Sequence, residues 1–429
     1  MLLPAISSHH EKAKAGVDRH SDTIVRIARG LHEHPEMGLE EHWAHAFLVE
    51  EARLAGFSVE TPVAGLATAF LAHYDSGRPG PRIAYLCEYD AVPGLGHACG
   101  HNLISAGSFG AALALRPLVD ELGGSVHIVG TPDEEAVRDD SKGGKVIMCQ
   151  AGVFRRFDAA LMMHPTGGPN IVWRYGFPLK DFNIRFTGKP AHYTRPEEGI
   201  NALEALLLCI NNLNTIKRSW APAVLLACTI TEGGGPSAIT VPALAQAHYT
   251  LKVFSSAYMD RLYRQIETCV RAVAEMTGAV GQIEVLDEYK NTIPNLHLCA
   301  SLERNLRSLG LPVEDPAESR RKLQRQHYPG ASTDFSDVSW ELPGIHGYCS
   351  IGAAAMVAHT PGFAAAAGSD AGMVAALNSA RAMAMTGADI LSLPEFAAGM
   401  KGEFEAYRAS GFSMVPGIPP DFLAVPEGF

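Results

Sequence analysis

RIAYLCEYDAVPGLGHACGHNLISAGSFGAALALRPLVDEL, Arg82 to Leu122, carries the pattern on which the fold turns. Arg82 to Cys87 is a short apolar run with the length of a buried strand, and Asn102 to Leu122 is long and apolar enough for a helix. Working outward, strand-like runs recur at Ala67 to Ala72, Ser125 to Gly130 and Ala159 to Met163, separated by stretches long enough for helices. Such alternation predicts an α/β fold, a sheet with helices on its faces. Upstream, Ser21 to Gly56 has apolar residues at helical spacing, interrupted at His34-Pro35, where the proline disfavours helix in the residue before it. Two helices are therefore expected before the sheet.

The pattern changes near Pro178. Leu179 to Thr187 alternates apolar and polar residues, Asn201 to Ile216 reads as an amphipathic helix, Ala223 to Thr231 and Ala245 to Phe254 as strands, and Met259 to Thr277 as a helix. This order is that of a small α+β open-faced sandwich inserted in the chain. After about Pro294 come helices, a Gly-rich stretch and the Ala-rich helix Gly368 to Met385. The expected arrangement is a discontinuous metal-binding catalytic domain, 1–178 and 296–429, with a mixed sheet flanked by helices, and an inserted lid or dimerisation domain at 179–295.

The chain has 429 residues, 47% of them hydrophobic, enough for a large core divided between compact units. Lys and Arg number 35 against 46 Asp and Glu, a formal charge of -11, which argues against a nucleic-acid partner and for a small molecule. No window is expected to reach the roughly 20 apolar residues of a membrane span, and the N-terminal MLLPAISSHHEKAK lacks the organisation of a signal peptide. The eight cysteines are scattered without a CxxC pair, most of them in apolar strings such as LLLCINNL and VLLACTI, where a small buried hydrophobe is the expected role. A cytoplasmic protein without disulfides is the expectation.

Four short segments carry chemistry. In CEYDAVPGLGHACGHN, Cys87 to Asn102, Gly94, Gly96 and Gly100 allow positive φ, so that Cys99 and His101 can converge on one point beyond a strand end. A thiolate and a neutral imidazole suit a zinc-class ion, although a CGH tripeptide alone is weak. In GTPDEEA, Gly130 to Ala136, paired glutamates would ordinarily be solvated charge; at a strand exit, one carboxylate can bind metal while its neighbour serves as general base. His164 in LMMHP ends another apolar strand, where a hydrogen-bonded core histidine is the plain alternative, and His359 in AHTPGF precedes the C-terminal helix.

Taken together with LHEHPEMGLEE, GGKVIMCQAGVF, GKPAHYTRPEEGINALEA, GGGPSAITVP and STDFSDVSW, these segments resemble in order and spacing the aminoacylase and carboxypeptidase-G metallopeptidases. The likeness runs over nearly the whole chain and is nearest to the amidohydrolase branch that contains aminobenzoyl-glutamate hydrolase. It implies Cys99, His101, Glu135, His164 and His359 as ligands of one or two divalent ions, Zn or Mn, with Glu134 as general base. Asp90 would orient a ligand. Glu134 would take a proton from metal-activated water and return it to the departing nitrogen. The resemblance further implies that His192 of the inserted domain, in this family often reaching across a dimer interface, donates to the substrate oxygen; an exposed loop histidine is the alternative. Arg195 is a candidate for gripping a substrate carboxylate. A homodimer through the inserted domain is implied as well.

Two departures bear on substrate. Many relatives have N-V-I-P where this chain has Ile239-Thr240-Val241-Pro242, so an amide that helps hold substrate is replaced by an apolar side chain. AVRDDSKGGK replaces a Gly-rich run after the glutamates. Trp173, Phe177 and Tyr193 would suit a flat aromatic substrate, or belong to the core. The expected function is hydrolysis of the amide of an N-acyl or aryl amino acid bearing a carboxylate. Alternatives are hydrolytic deamination of an activated aromatic amine, as a nitroanthranilate aminohydrolase of the family performs, and a catalytically silent small-molecule-binding protein.

Overall fold

The structure is a computed structural model that describes residues 6–136, 141–220 and 224–412. Val137 to Asp140, within the altered run after the glutamates, and Ala223, the expected start of a strand, lie outside the described residues. The chain forms two compact units. One runs up to Tyr175 and resumes over Thr292–Leu323 and from Asp334; the other comprises Gly176–Asn291 and Gln324–Thr333. The ten residues 324–333, expected in the catalytic domain, thus cluster with the inserted unit.

The first unit begins with α1 (Ser8–Arg19), α2 (Ser21–Glu33), α3 (His42–Leu54), β1 (Ser58–Glu60), β2 (Phe70–Asp75), β3 (Arg82–Cys87), α4 (His101–Leu122), β4 (Ser125–Gly130), α5 (Gly144–Gln150) and β5 (Ala159–Gly167). The inserted unit contributes β6 (Leu179–Thr187), α6 (Ala202–Ile216), β7 (Leu225–Glu232), β8 (Leu244–Lys252), α7 (Ser256–Thr277) and β9 (Val280–Tyr289). The first unit then resumes with α8 (Leu296–Ser308), α9 (Pro316–Gln324), α10 (Phe335–Glu341), β10 (Gly344–Gly352), α11 (Pro361–Gly368), α12 (Asp370–Ser392) and α13 (Pro394–Ala409).

The first unit's sheet has the order β1-β2-β4-β3-β5-β10, with β4, β3, β5 and β10 parallel and the β1-β2 edge antiparallel. Five of the six residues of β3 are buried, as befits a parallel strand covered on both faces. From β3 the chain crosses to β4 on one side and from β4 to β5 on the other. This reversal opens a crevice beyond the carboxyl ends of the strands.

Small residues let α4 approach its neighbours closely. A Cβ on Gly110 would come within 2.4 Å of Ile24 Cδ1, and one on Gly107 within 3.2 Å of Ser379 Cβ. Against the expectation for membrane spans, α4 is by length and composition apolar enough to cross a bilayer. Its most apolar window is 89% buried beneath α1, α2 and α12, which makes it the core helix of this unit. Helix α1 also lies outside the expected elements; its mean polarity hides the buried stripe Ala13 and Val17.

In the inserted unit an antiparallel sheet of order β7-β8-β6-β9 carries α6 and α7 on one face. Strict alternation in β8 turns Ala245, Ala247, Tyr249 and Leu251 inward against Leu206, Leu213, Leu262 and Ile266. Asn201 caps α6 by accepting from the amides of Leu203 and Glu204, and Ser255 caps α7. Edge strand β7 leaves Leu225, Cys228 and Ile230 exposed, which corrects the expectation of a buried thiol in VLLACTI.

Candidate metal centre

Strands β3 and β4 run level to Cys87 and Gly130, so the loops leaving them start side by side; Thr131 N donates to Cys87 O at 2.8 Å. Pairing of β5 with β10 sets His164 beside Tyr348. Gly100, at φ +81°, turns the first loop into α4, and a Cβ there would come within 2.4 Å of Pro165 Cγ. That approach brings Cys99 and His101 to His164. The last ligand candidate arrives after β10, where His359, itself at φ +62°, donates its backbone N–H to Ala98 O at 2.9 Å. With Asp133 and Ala136 also at positive φ, backbone strain gathers around this point, as it does at functional sites.

Donor atoms of Cys99, His101 and His164 lie within 4.8 Å of one another, as do those of Cys99, Glu135 and His359, and those of Glu88, His101 and Glu134. Cys99 Sγ is 3.2 Å from His164 Nε2, and His359 Nε2 is 3.3 Å from Glu135 Oε2. His101 Nε2 stands 3.6 Å from Glu134 Oε2 and 3.9 Å from Glu135 Oε1. The other ring nitrogen is held by Asp90, whose Oδ1 is 2.8 Å from His101 Nδ1 and whose Oδ2 accepts from Glu135 N at 2.8 Å. One carboxylate thus orients two of the expected ligands. His101 is fully buried and its Nε2 has no hydrogen-bond partner among the described residues. A buried, oriented and unpartnered imidazole nitrogen facing a thiol, further imidazoles and carboxylates fits a divalent transition-metal ion.

Burial acts on every ionisable group here. It pushes the Cys99 thiol up, so its ionisation as a ligand calls for a positive charge nearby. Glu134 is raised well above the usual carboxylate range by burial and by the charges of Glu88 and Asp334. Glu135 goes the other way: burial would raise it, but the hydrogen bond to His359 and the charge of His101 hold it low. Two adjacent glutamates are thereby pushed apart, the arrangement expected of a proton carrier beside a ligand. His164 is lowered to about 4 by burial and by the nearby His101, which keeps its imidazole neutral.

Several groups at the centre had no role assigned from the sequence. Glu41 accepts from Asp133 N and Thr68 Oγ1, both at 2.8 Å, and braces the GTPDEEA turn. Glu88, Lys145 and Asp334 form a fully buried ion-pair chain, with Lys145 Nζ 2.6 Å from Glu88 Oε1 and 2.5 Å from Asp334 Oδ1. Their motifs are visible in CEYD, GGKV and STDF, but no spacing rule links three segments so far apart in sequence. Tyr348 packs beside His164, with Arg174 stacked over its ring at 4.6 Å.

His192 and Arg195 belong to the inserted unit and to none of the three donor groups. Both are exposed; His192 Nδ1 is 2.8 Å from Thr194 Oγ1, and Arg195 pairs loosely with Glu198 at 3.4 Å. Trp173 and Phe177 are buried, so their sequence neighbourhood reflects core packing, whereas Tyr193 and Ile239 are each 56% exposed.

The profile of Peptidase family M20/M25/M40 matches residues 69–394. The Xaa-Arg dipeptidase of Mus musculus is 34% identical over 411 residues, covering 92% of this chain and 91% of that protein. One of the chains of the p-aminobenzoyl-glutamate hydrolase of Escherichia coli is 29% identical over 306 residues, covering 67% of this chain and 62% of the relative. Among solved structures, a dinuclear metal-binding peptidase of the M20 family from Bacillus subtilis matches with a TM-score of 0.59 at 20% identity, over 86% of this chain and 98% of that one. At that identity the match speaks for the fold.

Proposed function

The chain belongs to Peptidase family M20/M25/M40, a metal-dependent hydrolase acting on C–N bonds, and from that membership we propose that it cleaves the amide of a small carboxylate-bearing substrate, an N-acyl or aryl amino acid or a dipeptide. The observation that carries this reading is the convergence of Cys99, His101, Glu135, His164 and His359 beside Glu134, whose carboxyl burial and the charges of Glu88 and Asp334 push up. The named activities of the relatives, on Xaa-Arg dipeptides and on p-aminobenzoyl-glutamate, support an amide rather than another C–N bond.

Cys99, His101, Glu135, His164 and His359 would hold one or two divalent ions, Zn or Mn. The two-ion reading is supported by the three overlapping donor groups and by the dinuclear M20 relative. When bound, such an ion supplies Lewis acidity that makes water nucleophilic at neutral pH and polarises the carbonyl. Glu134 accepts the proton of the attacking water and later delivers it to the amide nitrogen, so that the C–N bond breaks to give a carboxylate and an amine. Asp90 keeps His101 in the tautomer with Nε2 free and fixes the backbone of Glu135. His192 donates to the substrate oxygen, and Arg195 grips its carboxylate.

Deamination of an activated aromatic amine is the second reading. What favours it is the exposed apolar pair Tyr193 and Ile239, joined by Tyr193 N donating to Ile239 O at 3.0 Å, a surface suited to a flat aromatic ring. We place the protein in the cytoplasm, in keeping with cysteines that form no disulfide among the described residues. We also propose a homodimer through the inserted unit, whose β7 offers an unpaired edge with exposed Leu225 and Ile230.

The test is to assay metal-loaded protein and Glu134→Gln on Xaa-Arg dipeptides, N-acyl amino acids, aminobenzoyl-glutamate and aromatic amines. Amide cleavage should appear in the wild type and fall by about 10²–10⁴-fold in the variant. Ammonia release from aromatic amines alone would establish the second reading. Equal, negligible activity of both proteins on every substrate would leave a binding protein.

A further inference from the structure

We infer that Glu88 is an additional oxygen ligand of this centre, making with His101, beside the general base Glu134, a subsite for a hard divalent cation such as Mn²⁺; the inference rests on the metal-binding reading above.

His101 anchors the subsite. Asp90 occupies its Nδ1 through both a side-chain and a main-chain oxygen, at 2.8 and 3.0 Å, so only Nε2 can bind an ion, and one lone pair serves one ion. His101 belongs to two donor groups of different chemistry. With Cys99 and His164 it forms a sulfur and nitrogen set, suited to softer ions; with Glu88 and Glu134 it forms an oxygen-rich set, suited to harder ones. Glu88 Oε2 stands 3.5 Å from Nε2, closer than the oxygens of Glu134 and Glu135 at 3.6 and 3.9 Å.

A purely structural role for Glu88, as counter-ion to Lys145, accounts for only one of its oxygens. Oε1 pairs with Lys145, which Asp334 already neutralises from the other side while accepting from the Lys145 backbone N–H at 3.1 Å. Oε2 is buried, faces His101, and has no hydrogen-bond donor among the described residues. Buried ion pairs are stable when their remaining lone pairs are satisfied, and with Nδ1 held by Asp90 a neutral His101 turns its Nε2 lone pair toward the orphaned Oε2 of Glu88. A cation satisfies both. The Lys145 and Asp334 contacts, together with Ser105 Oγ donating to Glu88 O at 2.5 Å, hold the carboxylate in place before any ion arrives. Lys145 and Asp334 are thus positioning residues acting through Glu88.

The experiment is a Mn²⁺ titration of chelator-stripped protein, followed by the electron paramagnetic resonance of free Mn²⁺, on wild type and Glu88→Gln. The amide keeps an oxygen for Lys145 and removes the anionic oxygen facing His101. Mn²⁺ affinity should fall at least about tenfold. The group of Cys99, Glu135 and His359 does not use His101, so the thiolate-to-Co²⁺ absorption band should persist in the variant. Wild-type Mn²⁺ affinity in folded Glu88→Gln, or no Mn²⁺ binding by the wild type, would overturn the inference. Circular dichroism checks folding; should Glu88→Gln misfold, Glu88→Asp keeps the charge for Lys145 and draws the oxygen back, and unchanged Mn²⁺ affinity there would overturn it equally. Hydrolysis is read separately. Intact Glu88-dependent Mn²⁺ binding without any turnover would defeat the proposed function and leave the ligand assignment standing.

Discussion

The two units spend their apolar surface differently. In the first, β3 and α4 are buried nearly throughout, and polar groups concentrate at strand ends where the loops meet. In the inserted unit, β8 alternates regularly, one sheet face lies against α6 and α7, and edge strand β7 is mostly exposed. A sheet covered on both faces can fix reactive groups only at its rim, whereas a sheet covered on one face keeps a surface and an edge for contact with other molecules. The first arrangement suits chemistry, the second recognition and assembly.

Each unit should therefore fail through a different kind of change. The largest effect is expected from Phe186→Ala. Phe186 is fully buried on β6, opposite Gly281, whose missing Cβ would lie 3.0 Å from the ring. Its truncation should cost about 4 kcal/mol in urea unfolding, confined to the transition of the inserted unit, while Co²⁺ still binds through Cys99. Loss of Co²⁺ binding at the same urea concentration would show that the two units do not fail separately.

A smaller, pH-dependent loss is expected in the first unit from Asp389→Asn. Asp389, buried on α12, pairs with His10 of α1 at 2.8 Å, accepts from Ser301 at 2.6 Å and meets Arg304 of α8. Burial would raise its carboxyl, but the His10 and Ser301 hydrogen bonds and the charges of His10 and Arg304 hold it below the ordinary value. A folded pKa lowered from about 3.9 contributes stability that is complete above that unfolded value and drains away as pH falls through the folded one. The variant should lose about 3 kcal/mol at pH 7 and show a flatter acid limb when urea midpoints are plotted against pH. An acid limb identical to the wild type's would remove Asp389 from the account.

The smallest effect on stability belongs to the edge. Ile230→Lys on β7 should shift the unfolding free energy by less than about 0.5 kcal/mol, yet convert the proposed dimer to monomer in sedimentation velocity. A variant that stays dimeric would move the interface elsewhere.

Periodicity along the chain was enough for the α/β alternation and the inserted sandwich. Strands and helices leave periodic traces, but Cys99, His101, Glu135, His164 and His359 were each weak signals alone, and it was the family resemblance in motif order and spacing that joined them into one ligand set. The helices at Asn102 and Asn201 start within a residue of expectation, but α7 begins three residues before Met259 and α12 runs seven residues past Met385, while the strand expected at Ala67 to Ala72 is displaced to Phe70–Asp75, because apolar residues continue into the turn before it. Tertiary structure alone decided which neighbours those ligands keep. Glu88, Lys145 and Asp334 come from three distant segments, Glu41 reaches the glutamate turn from a fourth, and Trp173 and Phe177 prove to be core. In a low-dielectric interior, the partner of a carboxylate is whichever donor the packing brings within about 3 Å, and proximity of that kind has no period to read along the chain.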